Sequence, residues 1–482
     1  MLRTLTDWLP FNDKSYTLRI PREEESESIL LLGDPGTGKS QTIHQFMNQI
    51  AMRSPSEAGV CFDPACEFLE AHFDPETDII LNPLDARFLY WSPSREVVNE
   101  IDLQMVADSF FPCHDKVPEP TRFFIQAARD IFMLMLARKP TAPTLVEWLR
   151  DEKTIDEIVA GTESAHKINK KAGPQRVAVL STLSDAGRLL KMLPEREEGQ
   201  PAFSLTAWAK RRRGWIFITS QQDARDALRP LQAAFLNILM KRLLSVDRDW
   251  GQQNPCWFVV DEVHALKYLP ALPTFMVECR KYGIKPIFGT QSKHQMKEHY
   301  GEDAATMLAS AHLKLYFRCN ESEAAKWVSS NIGDEERERP RAGASEAVEA
   351  AGRNSTNYST FSETRAVVSK EQIMALPNKC GYWKYADQVA PFRIAAHKWP
   401  RIAQGFIPRP ESRVSIEQKP QTVASTPASQ PRATAVVSSP QVSQPPSLPR
   451  QLAPASAPAP AASPAAQTSI QVLDEDNIDL NF

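Results

Sequence analysis

The segment Gly33-Asp34-Pro35-Gly36-Thr37-Gly38-Lys39-Ser40 constrains this chain more than any other. It follows the apolar run Ile29-Leu30-Leu31-Leu32 and precedes Ile43, Phe46, Met47 and Ile50, which are spaced as one face of a helix. Strand, glycine loop, helix is therefore the expected local order. A short run with no polar alternation suits a strand covered on both faces, which points to a parallel sheet in an α/β fold. In that setting the pattern G-x-x-x-x-G-K-[ST] builds a phosphate cradle. Its glycines let backbone N–H groups converge on phosphate oxygens, Lys39 neutralises the β and γ oxygens, and the Ser40 hydroxyl reaches a magnesium ion. The helix opening at Lys39, Ser40 and Gln41 aims its positive end at the same phosphates.

Such a loop calls for a carboxylate on a neighbouring strand, because the metal and the attacking water both need one. Trp257-Phe258-Val259-Val260 is a second short apolar run, and it ends in Asp261-Glu262. Asp261 is expected in the magnesium shell and Glu262 as the base that polarises water; an Asp-Glu pair after a strand also reads as a helix start. A third run, Pro286-Ile287-Phe288-Gly289-Thr290, leads into Gln291. Ligands of open α/β sheets bind at the carboxyl ends of the strands, where a glutamine can sense a γ-phosphate or orient water.

With these residues in hand, the chain resembles the type IV secretion system coupling proteins, the conjugative DNA-transport ATPases. The resemblance rests on GDPGTGKSQ, the stretch from Val60 to Pro93, WFVVDEVHAL, ECRKYG, FGTQS and the segment from Gln295 to Gly301, in that order. It runs from about Tyr16 to Pro400. It implies a RecA-like P-loop NTPase with a mainly parallel sheet, using ATP and Mg²⁺, that assembles as a homo-hexamer on DNA and serves relaxase or secretion-channel partners. By position it assigns Lys39 and Ser40 to the Walker A motif, Asp261 and Glu262 to Walker B, and catalytic roles to Glu262 and Gln291. Arg280 matches an arginine that reaches a neighbour's nucleotide; a solvated helix face is the alternative reading. The chain departs from the family in having Glu302-Asp303 after Tyr300-Gly301, where a relative can carry a lysine. It departs again at the N-terminus, where family members usually begin with transmembrane helices.

The pattern divides the chain into four parts. Residues 1–93 form the first part of the nucleotide-binding domain and 94–210 an inserted all-α domain, in which Phe124, Ala127, Ala128, Ile131, Phe132, Met135 and Leu136 keep helical spacing. Residues 211–408 return to the nucleotide-binding domain, with a strand at Trp215–Thr219, and 409–482 form a tail rich in Pro, Ser, Ala and Gln that is expected to be disordered. The resemblance puts the helical insertion at the entrance of the ring, facing DNA or the relaxase. Two cation runs, Lys167 to Lys171 and Lys210 to Arg213, read either as solvated surface or as phosphate contacts. Arg341 to Asn357 reads as a flexible loop. The end of the tail, from Ile470 to Phe482, reads as a docking motif or as a plain acidic terminus.

The chain has 482 residues, a formal net charge of -3 and seven cysteines without a C-x-x-C. That cysteine usage excludes a disulfide framework and a structural zinc site. The charge does not advertise nucleic-acid binding, although a ring needs positive charge only along its pore. No run of about 20 apolar residues is present, so a cytoplasmic location without direct membrane insertion is expected. These readings converge on a DNA-dependent ATPase that transports DNA or a DNA-protein substrate. The alternatives are a nucleotide-dependent adaptor with little turnover and a DNA-processing motor of a mobile element or defence system.

Overall fold

The computed structural model describes residues 17–20, 25, 27–54, 56–114, 116–196, 199–291, 293–345, 355–410 and 478–481. Most of the expected tail and the opening segment lie outside them, as do Ile470 to Asn477 and Phe482 of the proposed docking motif.

Among the described residues thirteen strands are formed: β1 (Thr17–Ile20), β2 (Ile29–Leu32), β3 (Ala58–Asp63), β4 (Ile79–Ile80), β5 (Trp215–Thr219), β6 (Cys256–Val260), β7 (Ile284–Thr290), β8 (Leu313–Tyr316), β9 (Asp334–Ser345), β10 (Ser355–Ala366), β11 (Cys380–Tyr385), β12 (Gln388–Arg393) and β13 (Ile478–Asn481). Nine of them make the central sheet, in the order β12-β11-β8-β2-β7-β6-β3-β5-β4. From β8 to β4 every pairing is parallel, and β11 and β12 add an antiparallel edge.

The central strands look continuously apolar because both faces are covered. Leu30, Val60, Phe62, Ile216, Ile218, Phe258, Val260 and Phe288 pack on one face with the larger helical layer. Ile29, Leu31, Cys61, Phe217, Trp257, Val259 and Ile287 alternate with them onto the other face. There they meet α1 (Lys39–Arg53) and α2 (Glu67–His72) through Ile43, Phe46, Ile50, Phe68 and Leu69. Cys61 and Cys256 sit fully buried in these layers and Cys319 in a smaller cluster with Tyr316 and Val328, and burial pushes the Cys256 and Cys319 thiols up to about 12. They are packing residues.

Between β4 and β5 the chain is helical: α3 (Glu100–Phe110), α4 (Glu119–Leu136), α5 (Ala142–Trp148), α6 (Glu152–Val159), α7 (Gly173–Leu190) and α8 (Leu205–Arg211). On α4 the residues Ala127, Ala128, Ile131, Phe132, Met135 and Leu136 are all buried, as their spacing predicts, while Phe124 at the start of the same face is partly buried. Buried Glu96 ties the two ends of this helical stretch together: its carboxylate accepts from Trp91 Nε1 at 2.7 Å and from the N–H groups of Leu205 and Thr206 at 2.8 Å each.

After β5 come α9 (Arg225–Leu243), α10 (Arg248–Gln253), α11 (Leu272–Glu278), α12 (Lys293–Tyr300), α13 (Asp303–Ser310), α14 (Ser322–Ile332) and α15 (Lys370–Met374). Among the described residues no helix is long and apolar enough to cross a membrane.

Two expectations are corrected here. Arg341 to Asn357 is not a loop throughout, since Arg341–Ser345 belong to β9 and Ser355–Asn357 to β10 of a long antiparallel hairpin. Backbone ladder bonds hold this ribbon, which lies outside the central sheet, so it needs no apolar alternation. Arg212, read with the second cation run, is buried rather than free for phosphate. Its Nη1 donates to the carbonyls of Gly251, Asn254 and Tyr282 at 3.1, 2.7 and 2.8 Å, and its guanidinium lies 5.4 Å from the centre of the Trp250 ring. Lys210, Arg211 and Arg213 are exposed. In the first run Lys167 pairs with Asp130 and Lys170 with Asp156. The end of the chain pairs with its beginning, β13 lying antiparallel to β1.

Candidate nucleotide site

The glycine loop leaves β2 where that strand is flanked by Thr290 of β7 and Tyr316 of β8. Its first residue must be small, because a Cβ at Gly33 would lie 2.6 Å from the Phe317 Cβ. Gly36 and Gly38 take φ of 74° and 123°, the left-handed region that bends the loop around its centre. Thr37 Oγ1 donates to the Asp34 carbonyl at 2.7 Å. The loop is pinned from outside by three further bonds. Asp34 N donates to the Arg318 carbonyl at 2.9 Å, the Asp34 carboxylate accepts from Asn320 N at 2.7 Å, and Lys379 N donates to the Thr37 carbonyl at 2.7 Å. Pro35 and Gly36 form its exposed tip.

At the loop's end Lys39 is buried and folded inward, its Nζ donating to the carbonyls of Gly33 and Asp34 at 2.6 and 3.1 Å. No side chain caps α1 at Gly38, so the first N–H groups of the helix face the loop. Gln41, in the first turn, accepts from Trp399 Nε1 at 3.2 Å.

The carboxylates arrive from β6. Gly289 lets β7 lie close enough, since a Cβ there would be 1.9 Å from the Asp261 carbonyl. Ser40 Oγ donates to Asp261 Oδ2 at 2.7 Å, while Asp261 Oδ1 is buried with no hydrogen-bond partner among the described residues. Burial raises the Asp261 pKa, opposed by the Ser40 hydroxyl and the Lys39 charge. A hard cation takes oxygen ligands of this kind, and an unpaired buried carboxylate oxygen beside a serine hydroxyl fits magnesium. Glu262 accepts from Gln291 Nε2 through Oε2 at 2.6 Å and meets His264 Nδ1 through Oε1.

Lys39, Ser40, Asp261, Glu262 and Gln291 thus share one rim of the sheet. Arg280 does not. It occupies the short turn Cys279–Tyr282 that feeds β7 and pairs with Glu27, just ahead of β2, at 2.6 Å. Both partners precede their strands, which places Arg280 at the opposite rim from its own glycine loop. Sequence reasoning missed His264, Lys379 and Trp399. His264 stood two residues after the expected base and could have been flagged by that spacing, whereas Lys379 reaches the loop, and Trp399 the first turn of α1, only through long-range folding.

The fold and this rim define a RecA-like P-loop NTPase. The model of the type IV secretion-system coupling protein DNA-binding domain matches residues 15–396, and the chain belongs to that family. It is 26% identical to the coupling protein TraD of Escherichia coli K12 over 407 residues, which are 81% of this chain and 56% of TraD. The chain therefore spans little more than half the length of that relative. Among solved structures, the unbound conjugative coupling protein TrwBΔN70 superposes with a TM-score of 0.69 at 24% identity, covering 80% of this chain and 89% of that one. TrwB in complex with ADP and Mg²⁺ gives 0.68 at 24% identity with the same coverage.

Proposed function

We propose that this protein is an ATPase that couples hydrolysis to the movement of DNA, or of a DNA-protein substrate, as a coupling protein of a type IV system. The observation that carries the reading is the paired rim of β6: Asp261 on Ser40 with one oxygen left over, and Glu262 on Gln291. A module that only bound nucleotide would have no use for the second carboxylate.

In this reading Lys39 leaves the loop carbonyls for the β and γ oxygens, and the α1 N–H groups complete the cradle. Ser40 and Asp261 would hold Mg²⁺, which would supply charge neutralisation for the nucleotide phosphates. Glu262 accepts the proton of the attacking water, and Gln291 orients it. Arg280 stands at the opposite rim from its own loop, so in this reading it serves the site of an adjoining copy, in a ring. Residues 94–210 act as an inserted helical domain, and the exposed cations Lys210, Arg211 and Arg213 contact phosphates without reading sequence.

The test is ATP turnover of the full chain with and without DNA across a salt series. Turnover should rise with DNA, and affinity should fall steeply with salt with little sequence preference. Neutralising Lys210, Arg211 and Arg213 together should reduce the log–log salt slope by about 2 to 3. No DNA binding at low salt, or turnover indifferent to DNA, would contradict the proposal.

A further inference from the structure

We infer that His264 is a positioning residue for Glu262, holding one carboxylate oxygen while Gln291 holds the other; the inference rests on the hydrolytic role proposed above. Gln291 Nε2 donates to Oε2 at 2.6 Å, and His264 Nδ1 meets Oε1. Glu262 needs such support. Its side chain is 22% exposed, so packing alone does not fix its three torsions. A carboxylate has about four lone-pair sites, so two donors leave room for water while fixing the plane of the group.

The backbone around His264 is itself fixed. Glu262 precedes the 3-10 turn Val263–Leu266, Lys267 N donates to the His264 carbonyl at 3.0 Å, and Lys267 closes the turn at φ 57°. Tyr300 of α12 then clasps the exit, its hydroxyl donating to the Lys267 carbonyl at 3.2 Å and accepting from Leu269 N at 3.1 Å. The charged and titratable groups around this turn are Glu262 and Lys267 on its own segment, Glu298 and His299 on α12, and His114 after α3. His114 packs on the Tyr268 ring at 4.7 Å, so the helical insertion touches the same turn.

A misplacement of a reacting group by about 1 Å can cost on the order of 100-fold in rate. His264→Ala in the full chain should therefore lower kcat by about 10- to 100-fold, with KM for ATP and the thermal transition close to wild type. His264→Asn, whose amide can donate to the same oxygen, should recover most of the loss. In the Glu262→Gln background His264→Ala should cost less than about twofold more, because the two residues act as one unit. Normal kcat in His264→Ala, equal losses for the Asn and Ala variants, or an undiminished loss in the Glu262→Gln background would each overturn the inference. Normal turnover in Glu262→Gln alone would instead overturn the role given to Glu262.

Discussion

The two rims of the central sheet use their charged residues in opposite ways. Where the parallel strands end, Ser40 bonds Asp261 and Gln291 bonds Glu262, leaving Asp261 Oδ1 buried and unpaired among the described residues. Where the strands begin, the cations are either spent on structure or exposed. Arg212 is enclosed by three backbone carbonyls, whereas Arg280 is 58% exposed and pairs with Glu27. Glu27 also meets His312 Nδ1 at 3.2 Å. The contrast teaches that residue type says little about role at either rim. In the function proposed above, one rim serves chemistry within the chain and the other serves it in a second copy.

The largest effect should come from the first rim. Glu262→Gln keeps the size of the side chain but removes the base, so hydrolysis should drop by about 100- to 10,000-fold while ATP binding persists. Lys39→Ala should lose binding as well, as read by titration of a fluorescent ATP analogue. Equal turnover in Glu262→Gln and wild type would erase the distinction between the rims.

A smaller effect separates the two arginines of the second rim. Arg212→Ala leaves three carbonyls without their donor, which should cost about 3 kcal/mol in stability. Arg280→Ala removes an exposed pair worth less than about 1 kcal/mol. Thermal unfolding of the two variants side by side checks this. A large loss in Arg280→Ala, or none in Arg212→Ala, would reverse the assignment of structure and function.

Much of the first rim was legible in the sequence because each part is local. The glycine loop, the apolar run before Asp261-Glu262 and the run before Gln291 each carry their signal within a few residues, and the parallel pairing of β2, β7 and β6 brings them together. What was not legible depends on contacts far along the chain. Arg212 belongs to a run of four cations, and only the approach of Gly251, Asn254 and Tyr282 makes it a buried strut. Lys379 reaches Thr37 through a backbone bond that no side-chain pattern encodes. The β9–β10 ribbon escaped notice because its strands lack an apolar stripe.

The central claim, a site assembled from one chain's Glu262 and a neighbour's Arg280, is tested most directly by complementation. Glu262→Gln and Arg280→Ala chains are each prepared inactive and then mixed at concentrations that permit assembly, and ATP turnover is followed. In an equal mixture about a quarter of the interfaces pair an intact Glu262 with an intact Arg280, as random head-to-tail assembly requires. Turnover should therefore return to roughly a quarter of the wild-type value and decline on dilution. Turnover that stays at the sum of the two separate proteins, under conditions where mixed assemblies are detected by mass, would contradict the shared site.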